Sequence, residues 1–163
     1  MGKKSLLEGK RVLLVDDEQD VLESLEDLLA QCKTAKASSY EEAMALMDEQ
    51  VFDLAILDIM GVSGYDLLKA ATEKGIVAVM LTARAVTPEH IVKSYEEGAS
   101  YYVPKEEMSN IEELLNDILE AIDQNKSPWD RWFSRMMKFC ERNFGDNWRV
   151  DEKDKFKRLP FFY

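Results

Sequence analysis

VLLVDDE, residues 12–18, decides how the rest of the chain is read. Four aliphatic residues in succession make a strand that is apolar on both faces, which is the mark of a parallel sheet covered by helices on each side. The strand, taken as Arg11–Val15, runs directly into three acids, Asp16, Asp17 and Glu18. Beyond them Val21, Leu22, Leu25, Leu28, Leu29 and Cys32 step by three and four, so a helix with one apolar face follows.

The same alternation repeats down the chain. A weak second strand covers 33–37, and Ser39 with Glu42 three residues later forms a capping box that opens a second helix. A third strand over 54–57 ends on Asp58. The next helix, 65–73, is stopped by Gly75. A fourth strand over 77–81 is followed by Thr87-Pro88, a cap and first-turn proline for a helix that ends near Gly98. A fifth strand covers 101–103. Ile111, Leu114, Leu115, Ile118, Leu119 and Ile122 then give the most regular apolar stripe in the sequence. Five strand–helix units predict an α/β, flavodoxin-like, doubly wound parallel sheet of order 2-1-3-4-5, with helices on both faces.

In such a sheet the ligand site lies beyond the carboxyl ends of the strands. The sequence places Asp16 and Asp17 there from the first strand, Asp58 from the third, Thr82 from the fourth and Lys105 from the fifth. Carboxylates that converge repel one another, and a hard divalent cation relieves them, so Mg2+ is the implied cofactor. With the cation in place, phosphoryl transfer onto a carboxylate oxygen becomes feasible, and Thr82 and Lys105 would hold the phosphoryl oxygens.

VLLVDDE, LAILDIM, VMLTAR and YYVPK together carry a resemblance: residues 10 to about 124 resemble the receiver domain of two-component response regulators. The resemblance implies Asp58 as phosphoacceptor and Asp16, Asp17, Asp58 and the backbone carbonyl of Met60 at the metal. It also implies Thr82 as the switch hydroxyl, Lys105 as the partner of the phosphoryl group and Tyr102 as the aromatic that turns inward on activation. The sequence departs from the family pattern in three places. Ile59-Met60-Gly61-Val62-Ser63-Gly64 lacks the usual Met-Pro pair, so a shorter, reshaped loop is expected. The span from Asp58 to Thr82 is compressed, predicting a short third helix. Pro104 precedes Lys105, where the family has lysine followed by proline, so either Tyr101 or Tyr102 could be the switch ring, neighbours on a strand facing opposite ways.

Charge divides the chain in two. Of 32 acidic and 21 basic side chains, 26 and 11 lie before residue 125, a balance of −15; the remainder carries 6 and 10, a balance of +4. The expected organisation is a lead over 1–9, a receiver domain over 10–124 and a basic, aromatic extension over 125–163. Ten of the sixteen aromatic residues, including all three tryptophans, fall in that extension. Ser127-Pro128-Trp129-Asp130 opens a helix as a capping box with proline at the first helical position. One face carries Trp129, Trp132, Phe133, Met136, Met137, Cys140 and Phe144, and the other Arg131, Arg135, Lys138 and Arg142. This amphipathic helix is expected to pack on the acidic receiver or on a second copy of itself, giving a homodimer; docking to a partner protein is the other outlet. Phe156 and the terminal Pro160-Phe161-Phe162-Tyr163 are expected to be buried.

The net charge of −11 argues against nucleic acid and anionic membranes as partners, and no apolar run approaches the length of a membrane span. Met1-Gly2 lacks the Ser or Thr at position 6 that myristoylation requires. Only Cys32 and Cys140 are present, both placed on apolar helix faces, and a reducing cytoplasmic compartment fits. His90 is expected to be an exposed surface residue without a role. The function expected is a stand-alone response regulator: no enzyme, but a phosphorylation-gated switch. Its expected partners are a histidine kinase or phosphotransfer protein as donor and a downstream protein as target. Two rivals are an aspartyl-phosphate phosphatase of haloacid dehalogenase type, with Asp16 as nucleophile and Glu18 as acid/base, and a non-phosphorylated scaffold acting through its tail.

Overall fold

The structure is a computed structural model that describes residues 5–82 and 87–145. Five parallel strands, β1 (Arg11–Val15), β2 (Lys33–Ala37), β3 (Leu54–Asp58), β4 (Val77–Thr82) and β5 (Tyr101–Pro104), lie in the order β2-β1-β3-β4-β5. Six helices alternate with and follow them: α1 (Gln19–Leu28), α2 (Tyr40–Glu49), α3 (Gly64–Glu73), α4 (Pro88–Glu96), α5 (Ile111–Asp123) and α6 (Pro128–Phe144). A 3-10 segment, Lys105–Asn110, joins β5 to α5. The flavodoxin-like topology expected from the alternation is the one observed.

The central strands are buried because their sequences leave no polar face. Val12 to Val15 and all of β3 are buried, whereas β2, reading KTAKA, buries only Ala37 fully and sits at an edge. Helix α1 touches α5 on one side of the sheet, and α2 touches α3 on the other. Ser39 Oγ accepts the Glu42 N–H at 3.2 Å and Thr87 Oγ1 accepts the His90 N–H at 3.2 Å, so both expected caps form. The segment before β1 joins the packing too, with Leu7 wholly buried and the Leu6 N–H donating to Asn116 Oδ1 of α5 at 3.0 Å.

Several expectations are corrected. Helix α3 has 10 residues, the same as α1 and α2, so it is not short beside its neighbours. Cys32 lies past the end of α1, in the turn before β2, where its thiol donates to the Leu7 carbonyl at 3.4 Å. Ile122, at the last turn of the α5 stripe, is 42% exposed. His90 is half-buried rather than free: its Nδ1 lies 2.8 Å from the Tyr65 hydroxyl, tying α4 to α3, and Lys93 Nζ sits 4.1 Å above the Tyr65 ring.

The extension is where tertiary packing rewrites the reading most. Helix α6 lies against β5 and α5 of its own chain. Among the described residues its buried stripe is Trp129, Trp132, Met136, Phe139 and Cys140, so Phe139 joins the expected face. The side chains of Phe133, Met137 and Phe144 fall outside the described residues, as do Phe156 and the terminal Pro160-Phe161-Phe162-Tyr163. The basic residues do not all face away. Arg131 pairs with Glu120 at 2.7 Å and Asp117 at 3.7 Å, Arg135 with Asp117 and with Glu113 at 3.6 Å, and Arg142 with Glu107 at 3.4 Å. Ser127 Oγ caps through the Trp129 N–H at 3.3 Å, not through residue 130.

A β5 edge left bare would present a row of unpaired backbone groups. Both indoles of α6 cover it: Trp129 Nε1–H donates to the Ala99 carbonyl at 2.8 Å and Trp132 Nε1–H to the Tyr102 carbonyl at 2.6 Å. The Trp129 ring also meets Tyr95 of α4 edge-on, with centroids 5.7 Å apart, and stacks on Tyr101. The described part of the apolar face is thus occupied within the chain.

Candidate functional site

The reversal of strand order falls between β1 and β3, and both strands end in acids at that crevice. Asp16 follows β1 and is wholly buried; its Oδ1 accepts the Glu18 N–H at 2.9 Å. Its Oδ2, also buried, has the Lys105 ammonium at 2.8 Å, off the line of a good hydrogen bond, so we read the contact as an ion pair. Lys105 begins the segment after β5 and reaches back across the rim, with Glu18 Oε1 at 3.7 Å and Asp58 Oδ1 at 3.8 Å. One ammonium therefore serves three carboxylates.

Burial and crowding set the protonation of this group. Asp58 is 5% exposed, and desolvation, then the charges of Asp16, Asp17 and Glu18, outweigh Lys105 and push its pKa up to about 6. Asp16 is raised as well, burial outweighing Lys105 and the Glu18 N–H. Burial opposes the charge of Lys105, but Asp16, Asp58 and Glu18 together hold it above the ordinary lysine value.

Asp17 and Glu18 are exposed at the rim. Carboxylate oxygens of Asp16, Asp17 and Glu18 all lie within 4.8 Å of one another, and Asp58 stands outside that triplet. Hard oxygen donors at this spacing suit a small divalent cation. The loop after β3 closes onto them: a Cβ on Gly61 would lie 2.5 Å from Asp17 Cγ, and one on Gly64 would lie 2.1 Å from the Asp58 carbonyl oxygen. Gly61 (φ +24°) and Ser63 (φ 55°) take positive φ, which lets the loop turn this tightly. The Met60 carbonyl accepts the Val62 N–H within this loop, while the Met60 side chain is 48% exposed. The residues present therefore fit a hard cation.

On the other side of Lys105, Thr82 and Tyr102 share a face of the sheet, since Met80 is registered with Tyr102 and alternation puts Thr82 with Met80. Tyr102 is 1% exposed and its hydroxyl faces Thr82; burial raises its pKa. Tyr101 points to the opposite face, against Trp129 and toward Asp117. Of the two tyrosines, Tyr102 is the one coupled to Thr82. Sequence reasoning brought Asp16, Asp17, Asp58, Thr82 and Lys105 to this rim, and the structure gathers all five there. It missed Glu18 as a member of the acid triplet and Gly61 and Gly64 as the cradle. The early glycine was visible in sequence, but the atom it makes room for was not.

Fold and rim together define a flavodoxin-like α/β domain with an acidic, lysine-bridged crevice at its switch point. A sequence model of the response regulator receiver domain matches residues 12–119. This chain belongs to that family. It is 35% identical over 115 residues to the two-component response regulator ARR12 of Arabidopsis thaliana, covering 66% of this chain and 19% of that protein. Among solved structures it is similar to a CheY-like receiver domain protein from Methanospirillum hungatei (29% identity, TM-score 0.61, 71% of this chain and 95% of that one). It is likewise similar to the BeF3-activated DrrB receiver domain of Thermotoga maritima (25% identity, TM-score 0.61, 69% and 98%). The chain spans about a fifth of the length of the curated relatives it matches. No described helix is long and apolar enough to cross a membrane.

Proposed function

We propose that Asp58 is a phosphoacceptor and that the chain is a phosphorylation-gated switch, cytoplasmic, whose output is altered protein binding rather than catalysis. The observation that carries this reading is Lys105, poised 2.8 Å from Asp16 and 3.8 Å from Asp58 at the switch point of the sheet, with Thr82 on the next strand end. The donor is a phosphohistidine on a histidine kinase or phosphotransfer protein. An Asp58 carboxylate oxygen attacks phosphorus, the P–N bond breaks, and its electron pair returns to the imidazole nitrogen. Lys105 and the Thr82 hydroxyl take the phosphoryl oxygens.

Asp16, Asp17, Asp58 and the Met60 carbonyl would hold Mg2+, with Glu18 beside them. When bound, the cation neutralises charge on the transferring group. A pKa near 6 leaves Asp58 largely ionised at pH 7, as a nucleophile must be. Once Thr82 turns to the phosphoryl group, the hydroxyl of Tyr102 loses its partner, and β5 is biased toward a second arrangement.

The phosphatase rival needs Asp16 as nucleophile. Its side chain is wholly enclosed and paired with Lys105, and receiver-family membership speaks against it as well. The scaffold reading predicts no adduct. Incubation with acetyl phosphate and Mg2+, followed by intact-mass measurement, is expected to add one phosphoryl group that Asp58→Ala abolishes. An adduct that survives Asp58→Ala, or none in the parent chain, overturns the proposal.

A further inference from the structure

We propose that α6 is a strap that holds β5 in its resting arrangement, and that phosphorylation of Asp58 and seating of α6 beyond Trp129 oppose each other. The inference rests on Asp58 being the phosphoacceptor. It starts from where α6 is fastened. At its N-terminal end, Trp129 is bonded to the Ala99 carbonyl and packed on Tyr95 and Tyr101, at the end of β5 remote from the site. One turn further on, Trp132 bonds the carbonyl of Tyr102, whose own hydroxyl faces Thr82. Further on, Arg142 reaches Glu107, two residues after Lys105, at 3.4 Å.

The first fastening is an anchor and the other two are sensors. Thr82 and Lys105 are the two groups that must move toward a phosphoryl group on Asp58. Moving Thr82 frees the Tyr102 side chain, and moving Lys105 shifts the segment that carries Glu107. Either displacement draws β5 or its extension away from a donor fixed on α6. Hydrogen bonds are directional, so a strand shift that leaves the Tyr102 carbonyl poorly aligned weakens that seat. Linkage makes the coupling mutual: whatever loosens α6 at this end favours the phosphorylated arrangement by the same factor. The Arg131 and Arg135 pairs to α5 lie on an element that does not move in this scheme, so α6 is expected to stay attached through them and Trp129.

Hydrogen exchange on the full chain, with and without beryllofluoride and Mg2+, tests the strap. Backbone amides of residues 136–144 are expected to lose protection about three- to tenfold on activation while α5 does not, the factor expected for one buried hydrogen bond. Trp132→Phe keeps an aromatic ring but removes the donor. It is expected to lower the acetyl phosphate concentration for half-maximal adduct by about the same three- to tenfold. Trp129→Phe, at the anchor, is expected to leave that concentration unchanged. An Asp58 adduct with unchanged or increased α6 protection overturns the strap and leaves the phosphoacceptor standing. So does a Trp132→Phe variant with parental half-saturation. Absence of the adduct by intact mass overturns both.

Discussion

At the residue scale, the charge on Asp58 is the sensitive quantity. Its folded pKa, about 6, lies above the ordinary carboxylate value, so the folded chain binds a proton more readily than the unfolded one. The stabilisation this gives is complete below the unfolded pKa and is lost as pH rises through about 6. Without divalent cation, Asp58→Asn is therefore expected to melt higher than the parent at pH 7.5 and close to it at pH 4. The gap is on the order of 3 kcal/mol, about 1.4 kcal/mol for each unit of raised pKa. Thermal melts at both pH values check this; a gap that shrinks toward pH 7.5 has the wrong sign. Mg2+ would relieve the same crowding, so adding it is expected to raise the parent's melting temperature and to raise that of Asp58→Asn or Asp17→Asn less. Equal gains in all three count against the metal assignment.

At the element scale, the loop after β3 and the helix α6 are held by different physics. The loop depends on missing atoms: an added methyl at Gly64 would meet the Asp58 carbonyl at 2.1 Å, which no side-chain adjustment relieves. Gly64→Ala is expected to destabilise the fold by about 2–4 kcal/mol, through a forced backbone shift, and to weaken Mg2+ binding with it. Denaturant titration and the metal-induced melting shift read both. Helix α5 offers a contrast within one stripe. Ile118, with no exposure, is expected to cost about 2–5 kcal/mol as Ile118→Ala, while the 42%-exposed Ile122 is expected to cost under about 1 kcal/mol as Ile122→Ala. The periodicity predicted the same role for both, because spacing specifies a face but not how much of it is covered.

At the scale of the whole molecule, the acidic domain and the basic helix are complementary, and α6 closes the one sheet edge that carries the switch. Weakening that cover with Trp129→Ala and Trp132→Ala together exposes the carbonyls of Ala99 and Tyr102 and the ring of Tyr101. The double variant is expected to self-associate with rising concentration, where the parent does not change; light scattering after size exclusion reads the difference. By itself, the sequence determined the order of strands and helices, the five groups at the rim and the amphipathic character of α6. Each is written locally, in runs of apolar residues, in periods of three and four, and in acids that end a strand. Only the tertiary structure decided that Tyr102 and not Tyr101 meets Thr82, that Glu18 joins the acids and that His90 ties α4 to α3. It alone brought Phe139 into the buried face of α6 and laid that helix on its own β5. Those outcomes depend on which surfaces meet across the fold, and a one-dimensional pattern records a face without recording what lies opposite it.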